Sequence, residues 1–369
     1  MKKIKLIITL SAINIFLFTE QQALLSQPSL HTPDNKFIQY TGRIDFSNPQ
    51  KPRLSGAGAY LQAKFKSSSC SVLLEDQNLS NNHNYISIAI DGKYQKRIKL
   101  VKDNTEYEIA KNLEDTVHTL IVCKATEAQI GYVDFLGLLC TEILPPEKSR
   151  ERKIEFIGDS ITCGMGLDIS EIPCNSAQWY DQHNAYLAYG RLVADKLNAD
   201  WLFSSVSGIG VTRNWNSPGP TMPDVYDHIF LDTNSPIWDA NQYIPELVSI
   251  CLGTNDFSDG DGTYKRDKLD SAKFISDYIR FIKHIRARYP HAQICCLTGP
   301  MFSGEKSARL AEYLSAIVKH MHEVENDNKV HLFKFAGSYS KGCDSHPDRQ
   351  EHEKMAEELL PFLKKVMNW

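Results

Sequence analysis

The chain has 369 residues, 42% of them hydrophobic and 23% charged, which is ordinary for a globular protein of two domains. Its formal net charge of -4 gives nucleic acid or an acidic membrane nothing to hold, so nucleic acid is excluded as a main partner. The nine cysteines include no Cys-x-x-Cys pair and no Cys/His spacing of the zinc-binding kind.

Lys2, Lys3 and Lys5 precede an apolar run over 6–18, and a polar, small-residue stretch follows to about Ser26. That order predicts a secretory signal over 1–26 and a secreted or periplasmic mature protein. An apolar run this short falls below the roughly 20 residues of a membrane span, and no later stretch is long or apolar enough. Export permits disulfides, with Cys163 and Cys174 as one candidate pair. The odd cysteine count leaves at least one thiol unpaired within the monomer. Cys295-Cys296 lies in an apolar strand-like run and is expected to be buried.

Over 33–145 short apolar or alternating runs recur, at 37–40, 61–65, 71–74, 85–90, 105–109, 119–123 and 128–136, with turn residues between them. Many short strands without helices predict an all-β sandwich or jelly roll. Pro145-Pro146 and the charged stretch 147–153 mark a boundary.

From 150 to 369 strands alternate with helices. The strand-like runs are 154–157, 201–206, 247–252, 293–298 and 330–335, and the helical patterns are 185–198, 271–288, 307–325 and 350–366. Phe274, Tyr278, Ile282 and Ile285 show the spacing of one apolar helix face. The pattern predicts an α/β domain of three layers around a five-stranded parallel sheet. Residues 213–246, rich in Pro, Asn, Asp, Trp and Tyr, interrupt it and are expected to form a substrate-binding loop.

In open parallel sheets ligands bind beyond the carboxyl ends of the strands. There the sequence places Gly158-Asp159-Ser160, Ser207-Gly208-Ile209-Gly210, Gly253-Thr254-Asn255-Asp256 and Gly342-Cys343-Asp344-Ser345-His346-Pro347. This is a set for acyl transfer. Ser160 is the candidate nucleophile and needs a base to take its proton. His346 is that base. Asp344 would hold its imidazole. The backbone N–H groups of Ser160 and Gly208 and the side-chain amide of Asn255 would meet an oxyanion. Asp159 and Asp256 are expected to hold loops together. His320, His322 and His352 are expected to be ordinary surface residues.

Ser160, Gly208, Asn255 and His346 match the four letters of the SGNH (GDSL-type) hydrolases, which this chain resembles. With a β domain in front, it is similar to carbohydrate esterase family 2, two-domain acetyl esterases of plant polysaccharides. In the wider family the aspartate stands three residues before the histidine, where this chain has Cys343. Asp344, two before, resembles the family 2 arrangement, and either its carboxylate or a backbone carbonyl could orient His346. The resemblance implies an exported serine esterase that removes acetyl groups from a polysaccharide such as xylan through an acetyl-serine, without metal or cofactor. A lipase or peptidoglycan O-acetylesterase on the same scaffold is an alternative reading, and a non-catalytic glycan-binding protein is another. Trp215 and Phe302, each shortly after a rim turn, are proposed walls of a glycan cleft, with Trp179 and Trp238 as further candidates.

Overall fold

The computed structural model describes residues 27–146 and 150–369. The predicted secretory signal and the first part of the charged stretch 147–153 lie outside the described residues.

Residues 29–144 form two antiparallel sheets of six strands each. One runs Ile44–Asp45, Arg53–Leu54, Gly131–Cys140, Cys70–Asn78, Glu106–Ala110, with Ser29–His31 also paired to Gly131–Cys140. The other runs Glu142–Leu144, Tyr60–Lys66, Val117–Lys124, Tyr85–Ile90, Lys93–Lys99, with Gln39–Thr41 on Tyr60–Lys66. Alternating residues such as Leu61, Phe65, Val72, Leu74, Ile88, Leu120, Val122 and Phe135 point between the sheets and form one apolar core. The strand Lys93–Lys99 has no counterpart among the apolar runs, because its lysines and arginine break any apolar alternation. It sits at a sheet edge, where charged side chains face water and discourage further pairing.

Residues 152–369 fold around a five-stranded parallel sheet. Its order is Ala199–Ser205, Arg152–Gly158, Leu247–Cys251, Gln293–Leu297, Val330–Phe333. All four inner pairings are parallel. The chain order along the sheet is therefore 2-1-3-4-5, and the direction reverses between the first and third strands. Such a switch point opens a crevice at the strand ends. The helices Tyr189–Lys196, Ser271–Arg288, Gly304–Glu323 and Arg349–Met367 cover the sheet. Phe274, Tyr278, Ile282 and Ile285 are buried against it, as their spacing predicted.

The two regions share a seam. Tyr60 of the sandwich stacks on Trp201 of the parallel sheet, ring centroids 4.1 Å apart. Gly58 has φ +70° and lies so close to Phe203 that a Cβ there would fall 2.7 Å from its ring. Arg43, also from the sandwich, is fully buried. It donates to Ser204 Oγ and to the carbonyl oxygens of Tyr226 and His228, and sits 3.9 Å from Glu155.

That seam changes the reading of 213–246. Beyond Trp215, the segment is largely structural: Tyr226, Trp238 and Tyr243 are buried. Trp238 is therefore no cleft wall, and its ring lies 4.5 Å beneath the Arg43 guanidinium. His352, expected at the surface, is completely buried. Its Nδ1 accepts the Tyr189 N–H at the start of a helix, and burial takes its pKa down to about 3.

Candidate active site

The first parallel strand ends at Gly158, and the chain turns directly into a short helix, Ser160–Cys163. Asp159 caps it, its carboxylate accepting the Ile161 N–H at 3.0 Å. Gly158 has no room for a side chain, since a Cβ would lie 2.1 Å from Thr162 Oγ1. This tight start holds the Ser160 hydroxyl at the strand end, in a residue only 6% exposed.

His346 arrives from the loop after the fifth strand. Its Nε2 lies 2.7 Å from Ser160 Oγ, across 186 residues of sequence. Its Nδ1 lies 3.0 Å from the backbone carbonyl oxygen of Asp344. A carbonyl can only accept, so Nδ1 carries the proton and the Nε2 lone pair faces the serine. Burial, with His183 nearby, lowers the His346 pKa to about 4, which keeps the ring neutral and able to accept a proton.

The expected Asp344 carboxylate contact is not what orients this ring. Asp344 is exposed, and the main chain orients the imidazole instead. Asp344 and Ser345 both have positive φ, 51° and 57°, and this left-handed pair turns the Asp344 carbonyl back onto the ring. The loop is tied down by Cys343 N–H to Gly166 O at 3.0 Å and by Gly342 N–H to His346 O at 2.7 Å. It is also tied by a disulfide between Cys174 and Cys343. That pairing replaces the expected Cys163–Cys174 bond. Cys163 is buried under the nucleophile turn with its Sγ 3.2 Å from Ser205 Oγ. Cys295 and Cys296 are buried and free, as expected.

Gly208 follows the second strand with φ +78°, a conformation that suits glycine. Among the described residues its N–H has no protein acceptor, while its carbonyl accepts the Trp215 N–H at 2.8 Å. Asn255 sits just beyond the third strand in the short helix Thr254–Phe257. Its Nδ2 donates to Ile209 O at 2.8 Å and reaches Asp159 Oδ2 at 3.3 Å. One amide thus bridges the Gly208 turn and the serine turn. The second contact is long enough to yield to a stronger acceptor.

Asp256 fastens the Gly208 loop, as its loop-holding role anticipated. Its carboxylate accepts the N–H groups of Val211, Thr212 and Arg213 at 3.0, 2.7 and 3.1 Å. Burial lifts Asp256 above its ordinary pKa even so, and lifts Asp159 to about 7.

Trp215 stands beside Gly208 and is 45% exposed, so a large ring face is open to solvent next to the site. Phe302, after the fourth strand, is half-buried against the apolar core with the Lys306 ammonium over its ring. Trp179 is 40% exposed, and its ring meets His183 edge-on at 5.1 Å.

One buried residue beside the site was missed by sequence reasoning. Glu127 comes from the sandwich and is fully buried. It accepts the Ser207 N–H at 2.6 Å and pairs with His183 Nε2 at 3.2 Å. Burial alone would raise its pKa, but the hydrogen bonds from His183 and Ser207 outweigh that and hold it below the ordinary value. Its only signal was an acid in the otherwise small-residue run Ala125-Thr126-Glu127-Ala128.

Residues 40–146 match the family model described as Carbohydrate esterase 2 N-terminal. Residues 156–357 match the GDSL-like Lipase/Acylhydrolase family. A cellulase/esterase of Acetivibrio thermocellus is 33% identical over 347 residues, 91% of this chain but 40% of its own length. An acetylxylan esterase / glucomannan deacetylase of Cellvibrio japonicus is 29% identical over 353 residues, with 94% of each chain covered. The solved structure of a family two carbohydrate esterase from Clostridium thermocellum, in complex with cellohexaose, superposes with a TM-score of 0.81 at 31% identity. That match covers 90% of this chain and 99% of the other.

Proposed function

Because this chain belongs to carbohydrate esterase family 2, we propose that it is an exported serine esterase that removes O-acetyl groups from a plant cell-wall polysaccharide. The observation that carries this reading is the 2.7 Å approach of Ser160 Oγ to a neutral His346 whose other nitrogen is committed to a carbonyl. His346 takes the hydroxyl proton as Ser160 Oγ attacks the acetyl carbon. The resulting oxyanion is met by the N–H groups of Ser160 and Gly208 and by Asn255 Nδ2, each such donor lowering the barrier by roughly 3–4 kcal/mol. Collapse breaks the carbon–oxygen bond to the sugar, His346 returns its proton to the departing hydroxyl, and acetyl-Ser160 remains. Water, activated by the same imidazole, then releases acetate. A Ser–His dyad oriented by the main chain suffices for each step.

The exposed ring of Trp215 gives a sugar a stacking face beside the oxyanion donors, and Trp179 gives a second. Among the described residues no helix is long and apolar enough to cross a membrane. Acetate release should be measured on acetylated xylan and acetylated glucomannan, with a p-nitrophenyl ester series from acetate to octanoate alongside. Acetate should be the preferred ester, and Ser160→Ala should abolish turnover. A preference for octanoate, or wild-type turnover by Ser160→Ala, would overturn the proposal.

A further inference from the structure

The donors of the oxyanion site do not aim themselves. The Gly208 N–H belongs to the planar Ser207–Gly208 peptide, in which the N–H points opposite to the Ser207 carbonyl. Whatever holds that carbonyl fixes the direction of the N–H. In this protein the holder is Gln129, whose Nε2 donates to Ser207 O at 3.3 Å. Two residues earlier, Glu127 Oε2 accepts the Ser207 N–H at 2.6 Å. Both backbone polar groups of Ser207 are therefore gripped by one short segment of the sandwich, and the Gly208 N–H is turned away from it.

The segment is itself anchored. The Glu127 carbonyl accepts Lys124 Nζ at 3.0 Å, and the Ala125 carbonyl accepts the Ala185 N–H at 3.1 Å. The other Glu127 oxygen pairs with His183 Nε2 at 3.2 Å, and Cys163 Sγ, under the nucleophile turn, lies 3.5 Å from the carboxylate. The His183 carbonyl is held in turn by Arg97 of the sandwich at 2.7 Å. A carboxylate with no exposure is costly unless its oxygens are paired, and these are.

We propose that Glu127 and Gln129 are positioning residues for ester hydrolysis, with which the sandwich aims the Gly208 N–H at the oxyanion. The proposal rests on the serine esterase reading of the site. The parallel-sheet region thus holds the reacting groups, and the sandwich completes their alignment.

The test is the full chain carrying Glu127→Gln, Gln129→Leu or Ser160→Ala, with kcat and KM measured on p-nitrophenyl acetate and thermal unfolding recorded for each. In Glu127→Gln the carboxamide keeps the shape but can no longer accept from both Ser207 and His183. Its kcat should fall roughly 10- to 100-fold with KM within about twofold, the signature of a lost transition-state contact rather than lost binding. Gln129→Leu, an exposed change, should lower kcat roughly 3- to 10-fold at an unchanged thermal midpoint. Folded Glu127→Gln with wild-type kcat, or a loss confined to KM, overturns the proposal. If Glu127→Gln does not fold, wild-type kcat in Gln129→Leu overturns it. An inactive Ser160→Ala beside fully active clamp variants defeats the clamp alone, whereas an active Ser160→Ala defeats the esterase reading and the clamp with it.

Discussion

The sandwich and the parallel-sheet region bury polar groups in opposite ways. Between its own two sheets the sandwich buries an apolar core; of its buried charges, Arg43 and Glu127 reach across the seam to its neighbour, while Asp134 pairs with Arg53 inside the sandwich. The parallel-sheet region concentrates buried polar residues at the ends of its strands, where Asp159, Ser160, Asn255, Asp256 and His346 cluster. A buried charge is tolerated only when its partners are in place, so charges along a seam demand one particular docking. Lys124 shows the cost of burial within the sandwich: its pKa falls to about 7, and carbonyl oxygens of Thr126 and Glu127 take its hydrogens. On the proposed reading the chemistry lies in one region, and the other supplies polar contacts that align it.

The sharpest way to separate the two roles is to remove the base. His346→Ala should lower kcat/KM on p-nitrophenyl acetate by about 10⁴- to 10⁶-fold, with the folded state retained by circular dichroism. Activity within tenfold of wild type would place the chemistry elsewhere.

The converse change strikes the seam. Arg43→Met leaves Glu155 buried without its guanidinium neighbour and frees two carbonyl oxygens, and should cost about 3–5 kcal/mol of stability in urea unfolding. A loss below about 1 kcal/mol, the scale of an exposed pair, would mean that the two regions do not depend on each other.

A pH series sharpens the contrast further. Burial holds His346 near pKa 4 and His352 near 3, below the ordinary 6.5. The unfolded chain therefore binds these protons first as pH falls, so stability is full above about 6.5 and declines on the way down toward 4. On the same basis kcat/KM should already be on its plateau at neutral pH, its acid limb lying well below 6.5. An acid limb centred at 6.5 or higher would show a solvated, ordinary imidazole.

The smallest effect belongs to Asp344→Asn. The carbonyl and not the carboxylate holds His346, and asparagine tolerates the left-handed conformation, so kcat should stay within about threefold of wild type. A fall approaching the 10⁴-fold of a lost triad aspartate would restore the carboxylate to the mechanism.

Much of the parallel-sheet region was legible because its signals are local. The helix Ser271–Arg288 has the bounds its apolar spacing predicted, and all five strands lie within a few residues of the apolar runs. Ser160, Gly208 and Asn255 stood out because glycine and small polar residues closely follow their strands, and His346 because Gly-Cys-Asp-Ser-His-Pro comes in the loop after the last one. In the sandwich the apolar runs located seven of the twelve strands; Lys93–Lys99 escaped because an edge strand carries the polarity of a loop, and Ser29–His31, Ile44–Asp45, Arg53–Leu54 and Glu142–Leu144 because two or three residues hold no pattern. Trp238 and His352 were misplaced for a related reason: polar neighbours along the chain conceal a residue that the fold buries.

The amino-acid sequence by itself determined that a serine, a glycine turn and an asparagine follow the first three strands and a histidine the fifth, since strand ends and turns are set by contacts between near neighbours. Only the tertiary structure decided that Cys174 joins Cys343, that the Asp344 carbonyl orients the imidazole, and that Glu127 reaches across to Ser207. Those choices depend on which distant surfaces come to share a buried space, where every hydrogen-bonding group must find a partner.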